Sequence, residues 1–227
     1  MKVFPAIPFS VDRPALLKKV RLEPESELSS EVLILAEAVE KVARPKALYT
    51  VAYVEEKTAD SVRIGQVTFT SRVLRVNLEK VGRVFPYICT CGPEIDRAGL
   101  AGDDVLKKFC VEALKEMALA TARKFLIETL KKSYALGQLA SMNPGHSAAD
   151  VWPIQQQKLL FSLLGDVKDL IGVQLTPSCL MLPTKTISGI FFPTRKDYQA
   201  CRLCQRQNCP GRTAAYDASF ARSYHRE

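Results

Sequence analysis

The sequence predicts an α+β fold, with an antiparallel or mixed sheet and flanking helices. Three observations carry this. Short segments rich in Val, Ile, Tyr and Phe occur in the first half of the chain and again near residue 190, without a helix strictly between each pair. One stretch, 103–133, keeps helical character with no Gly or Pro. The chain has 227 residues, 47% apolar and 25% charged, enough for a real core.

In chain order, residues 1–27 read as an extended segment because of Pro5, Pro8, Pro14 and Pro24. SSEVLILAEAVEKVARP places Val32, Leu35, Ala36, Val39 and Val42 on one helical face, with Ser29 or Ser30 as cap and Pro45 as stop. ALYTVAYV (47–54), SVRIGQVTF (61–69) and RVFPYICTCG (83–92) read as strands, the last the most buried. PEIDRAGL follows as a short helix in which Glu94 and Asp96 cap the turn. In the long helix Leu106, Phe109, Cys110, Ala113, Leu114 and Met117 form the apolar stripe, Asp103 or Asp104 the cap, and Lys131 and Lys132 the basic last turn. A loop with Gly137, Pro144 and Gly145 leads to a helix over 153–165 that starts at Pro153. GVQLTPS, SCLMLP and KTISGIFFP read as short strands before a cysteine-rich tail. Trp152 reads as a core anchor.

Composition excludes several classes. No apolar run is long enough to span a bilayer, and the N-terminus has prolines and Asp12 where a signal peptide needs an unbroken apolar run. The expected location is the cytoplasm. Net charge is +8, spread along the chain, with no helix-turn-helix or RNA-binding signature. The simplest reading is a solvated basic surface; among functional readings an acidic protein partner fits better than nucleic acid. No G-x-S-x-G, H-E-x-x-H or phosphate loop occurs, and the histidines are His146 and His225.

Seven cysteines in a reducing compartment read as core residues or ligands. Cys89 and Cys91 lie two apart on a strand and share a face, where packing is the simpler reading. Cys201, Cys204 and Cys209 stand at C-x2-C-x4-C, with Pro210 after the last, and Arg202, Arg206 and Arg212 flank them. This spacing points to zinc or an iron–sulfur cluster, with Cys179 as the preferred fourth ligand and Cys89, Cys91 or an external group as alternatives. Unliganded thiols and a redox disulfide are the competing readings. Tyr198 and Tyr216 stand beside this tail.

Three segments resemble the activation (reactivation) domain of cobalamin-dependent methionine synthase in its free-standing form: YICTCGPEIDR (87–97), NPGHSAADVWPIQQQKLLFSLLG (143–165) and IGVQLTPSCLMLPTKTISGIFF (171–192). The resemblance implies a C-shaped single domain around a curved, mainly antiparallel sheet over 28–195, after the segment 1–27 and before a Cys-rich tail, 196–227. It implies S-adenosylmethionine held at Asn143, Pro144, Gly145 and His146. It also implies a corrinoid (cobalamin) protein, or a methionine synthase lacking its own activation domain, as partner, with flavodoxin or ferredoxin as electron donor. The alternative is a module that binds a corrinoid or an iron–sulfur centre without S-adenosylmethionine. Two positions depart from the family pattern. Ser141 stands where the family has a carboxylate-binding Arg, and Ala120 stands near its helical Glu; His146 is the candidate replacement donor.

Overall fold

The computed structural model describes residues 1–146, 151–209 and 211–224. His225, Pro210 and residues 147–150 of the second resembling segment lie outside the described residues. Among the described residues, ten strands and eight α-helices follow one another as β1 (Lys2–Phe4), α1 (Arg13–Val20), α2 (Glu27–Val42), β2 (Lys46–Tyr49), β3 (Ala52–Lys57), β4 (Ser61–Ile64), β5 (Val67–Thr70), α3 (Arg72–Asn77), β6 (Arg83–Thr90), α4 (Glu94–Arg97), α5 (Val105–Tyr134), β7 (Leu139–Met142), α6 (Gln157–Ser162), α7 (Val167–Ile171), β8 (Gln174–Leu175), β9 (Met181–Leu182), β10 (Thr186–Pro193) and α8 (Ala218–Ser223). The fold is α+β, and every strand pair is antiparallel.

β6 is the centre of the sheet. β10 lines one of its edges, with β7 outside it. β2 and β3 share the other edge end to end, so the sheet forks, with β1 extending one branch and β4–β5 the other. The expected strand 47–54 is therefore two strands broken at Thr50–Val51, and the expected strand 61–69 is a hairpin turning at Gly65, whose φ is +56°. β6 is buried along almost its whole length, as a central strand covered on both faces must be. Its alternation sorts the side chains: Val84 and Ile88 face a core with Trp152, α3 and α6, while Phe85, Tyr87 and Cys89 face α5.

α5 is about 45 Å long at 1.5 Å per residue, capped by Asp104. It carries two cores. Ala122, Leu126 and Leu130 lie on the sheet; Cys110, Val111, Ala113, Leu114 and Ala118 pack with α1, α2 and α4. The expected apolar stripe begins one turn too early, because Leu106 and Phe109 are 40% and 54% exposed. No helix among the described residues is long and apolar enough to cross a membrane.

The N-terminal segment is not merely extended. Pro14 stands in the first turn of α1 behind the Asp12 cap, where proline's missing N–H costs nothing, and β1 pairs with β2. α2 starts earlier than expected, capped by Ser26. Glu94 and Asp96 make no cap bond. Instead Glu94 pairs with Lys46 at 2.6 Å, and Asp96 takes the Lys115 ammonium at 2.8 Å. At the other end, Leu203, Tyr198 and Tyr224 join the core around Trp152, and the Tyr224 hydroxyl donates to Asn77 at 2.8 Å.

Candidate functional site

The site is built where β7 leaves the sheet. Register places Ser141 opposite Phe191, Met142 opposite Ile190, and Gly189 opposite Tyr87. Asn143 follows directly, and its side-chain amide crosses over Gly189. It donates to the Tyr87 hydroxyl at 2.9 Å and to the Ser188 carbonyl at 2.7 Å. Only glycine leaves that path open: a Cβ on Gly189 would lie 2.3 Å from Asn143 Nδ2 and 2.4 Å from the Met142 carbonyl oxygen. One asparagine thus ties the start of the first resembling segment to the start of the second and the end of the third.

Pro144 and Gly145 form the turn that follows. His146 N–H bonds the Asn143 carbonyl at 3.2 Å, and Gly145 has φ +74°, as a type II turn requires of its third residue. The Gly145 N–H is fixed on the Trp152 carbonyl at 2.9 Å, and a Cβ there would meet Ile154 at 2.4 Å. Trp152 is held in turn by Gln156, which accepts its indole N–H at 3.2 Å and bonds both backbone groups of Thr70. The turn is rigid, but its amides are used internally. Asn143, Pro144 and Gly145 accordingly shape the site: the Asn143 side-chain amide and the Gly145 N–H are already bonded within the chain, and Pro144 has no N–H.

The group with capacity to spare comes from the helix. Arg123, on the middle of α5, reaches Ser141 Oγ with one guanidinium nitrogen at 3.3 Å and lies over the Phe191 ring at 5.7 Å from its centroid. Phe191 stacks on Tyr87 at 3.9 Å. Among the described residues no carboxylate pairs with Arg123. Ala120 is exposed one turn away on the same helix face. A cation from another element thus stands beside Ser141. His146 follows the turn, and desolvation, then the Arg123 charge, hold its imidazole below its ordinary pKa, so at pH 7 it is a neutral donor and not a second cation. Burial pushes the Tyr87 phenol up, with Arg123 opposing, so that hydroxyl stays neutral too.

A hollow of about 550 Å³ opens elsewhere, between Pro93, Asp96, Lys115, Gly172 and Pro183. Its buried cation is already neutralised, since Lys115 pairs with both Asp96 and Glu112. Arg97 and Lys168 also line this hollow; Arg123 differs in standing beside Ser141 and the Asn143 turn.

The cysteines separate into two groups. Cys89, Cys91 and Cys110 are buried in the cores. Burial raises their thiol pKa, to about 12 for Cys91, which is the packing reading. Cys179 is buried in the turn of the separate β8–β9 ribbon, at φ +66°. Cys201 lies in a short 3-10 turn, Ala200–Leu203, followed by Cys204 and Cys209, all three partly exposed. Among the described residues, no three His, Cys, Asp or Glu side chains gather to hold a metal. The structure therefore does not bring Cys179 and the tail thiols together as a ligand set. Tyr198 is buried and Tyr216 exposed; neither faces the Asn143 turn in any described contact.

No protein-family model and no curated protein matches the chain. Among solved structures it is similar to the crystal structure of the MetH reactivation domain bound to AdoHcy, with a TM-score of 0.59 and 18% identity over 85% of this chain and 73% of that one. That likeness establishes a reactivation-domain-like fold.

Proposed function

We infer that this chain serves a cobalamin-dependent methionine synthase, or a related corrinoid methyltransferase, as a reactivation domain. It would bind an S-adenosyl ligand against the Asn143–His146 turn, with Arg123 receiving the ligand's carboxylate. One observation carries this reading: a guanidinium that no carboxylate among the described residues pairs with stands on Ser141, beside the point where Asn143 joins all three segments that resemble the reactivation domain. The solved neighbour of the same fold was crystallised with AdoHcy, which supports a ligand of that class here. When bound, S-adenosylmethionine would supply a methyl group to the reduced cobalt of a corrinoid partner.

This chain's own residues bind and orient. Arg123 offers a carboxylate two parallel N–H donors in a fixed plane, and Phe191 beneath it holds that plane in place. Pro144 and Gly145 fix the loop backbone, so little conformational freedom is lost when a ligand arrives. Holding the donor in one pose converts an encounter of three components into a positioned one. The net charge of +8 suits an acidic electron donor of the flavodoxin or ferredoxin kind. An iron–sulfur or zinc centre has no ligand set among the described residues and is not needed for this reading.

Calorimetry tests the site. S-adenosylmethionine and S-adenosylhomocysteine should bind, and Arg123→Ala should weaken both by about 1.5–3 kcal/mol, roughly 10–150-fold. Methylthioadenosine, which lacks the amino-acid carboxylate, should be insensitive to the substitution. Absence of binding by either ligand, with a corrinoid partner also present, would sink the proposal.

A further inference from the structure

The tail contains chemistry that the ligand site does not use. Arg212 is its hub. The guanidinium donates to the carbonyls of Cys201 (3.4 Å), Cys204 (3.1 Å) and Ala214 (3.0 Å), and also to that of Arg206. Its backbone N–H takes the Cys209 carbonyl at 3.1 Å. One residue therefore fixes the backbone of all three tail cysteines. Cys201 and Cys204 are closed into a turn by the Cys204 N–H on the Cys201 carbonyl at 3.2 Å. The Cys201 sulfur accepts from both the backbone N–H (3.5 Å) and the hydroxyl (3.4 Å) of Thr213. Besides Arg212, the other ionisable neighbour is Tyr198, whose buried hydroxyl has no hydrogen-bond partner among the described residues. This sets Cys201 apart from the core thiols, whose burial makes them inert.

We propose that Cys201 and Cys204 are a redox-active dithiol, with Cys201 the attacking thiol and Cys204 the resolving one, and that the oxidant is a low-molecular-weight disulfide. The Cys201 thiolate attacks one sulfur of the oxidant. That S–S bond breaks, a mixed disulfide forms on Cys201, and one thiolate leaves and takes up a proton. Deprotonated Cys204 then attacks the Cys201 sulfur, forming the Cys201–Cys204 bond and releasing the second thiol. The protein gives up two electrons and two protons, and the oxidant gains both. Thr213 and Arg212 are positioning residues. This inference goes beyond the ligand site and stands or falls independently of S-adenosyl binding.

The test uses the full chain prepared without oxygen. Alkylation by iodoacetamide, mapped by mass spectrometry, should modify Cys201 about fivefold or more faster than Cys209 at pH 7. Equilibration with mixtures of oxidised and reduced glutathione should give one crosslink, between Cys201 and Cys204. Thr213→Val, which removes a donor to the Cys201 sulfur, should slow Cys201 alkylation at pH 7 while leaving that crosslink able to form. Cys201→Ser should abolish the crosslink without changing the calorimetric response to S-adenosylhomocysteine. Three results would overturn the proposal: alkylation of Cys201 no faster than of Cys209, a crosslink through another pair or none, or stoichiometric zinc or iron in the isolated protein that is lost in Cys201→Ser.

Discussion

Replacing Asn143 by alanine tests the architecture of the site apart from any ligand. The amide donates to two acceptors, the Tyr87 hydroxyl at 2.9 Å and the Ser188 carbonyl at 2.7 Å. Tyr87 is fully buried and Ser188 is 3% exposed, so water reaches these acceptors poorly. Each lost bond removes a net ~1 kcal/mol, and a buried acceptor left without a donor adds more, up to ~3 kcal/mol. Asn143 itself is partly exposed, so some water should enter the space left behind, and about 2–4 kcal/mol is expected in total. For a chain of this size that corresponds to a Tm fall of roughly 4–16 °C. Equilibrium urea unfolding gives the loss directly, and a double-mutant cycle with Tyr87→Phe isolates the shared bond, with a coupling of about 1 kcal/mol expected. A total loss under about 0.5 kcal/mol, or additivity of the two substitutions, would refute the claim that this amide joins the segments.

Three further outcomes follow from the same structure. Gly189→Ala forces a Cβ against the Met142 carbonyl and the Asn143 amide; it should cost about 1–3 kcal/mol by denaturant unfolding and also weaken S-adenosylhomocysteine binding. The Lys115 ammonium is 6% exposed, but its partners Asp96 and Glu112 are 47% and 45% exposed. Asp96→Asn with Glu112→Gln, which strands a buried charge, should therefore cost about 3 kcal/mol, and Lys115→Met much less; equal losses would contradict this. Tyr49 and Tyr224 have phenol pKa values raised to about 12 by burial, helped at Tyr49 by Tyr134. The unfolded chain ionises first, so this stability is present below about pH 10 and is lost as pH rises through about 12. Tyrosinate absorbance should appear in two steps; a single step at the ordinary value would contradict it.

Much of the fold was legible because it depends on local pattern. The apolar run of β6, the Asp104 cap and uninterrupted length of α5, and the Pro-Gly turn each state their conformation in adjacent residues. Where local pattern was ambiguous, the reading failed in understandable ways. Pro14 marks a helix start, but beside three other prolines it reads as extended chain. β7 is only four residues long, and its Gly137 and Pro144 flanks read as loop. Leu106 and Phe109 fit the helical stripe of α5, yet packing begins only at Cys110, because that is where α1, α2 and α4 meet the helix.

The sequence by itself determined the fold class, the central strand, the long helix and the turn at residues 143–146, since hydrophobic period and backbone restriction are properties of neighbouring residues. The resemblance to the reactivation domain also marked Ser141 as a position without that family's cation. Only the tertiary structure decided that Arg123 stands beside that serine. Arg123 and Lys124 flank the buried stripe of Ala122 and Leu126 almost equally in sequence, and the direction in which α5 crosses β7 selects between them. The same holds for the cysteines: their spacing is written in the chain, but which sulfurs are buried, which receive hydrogen bonds and which meet depends on contacts between residues far apart along it.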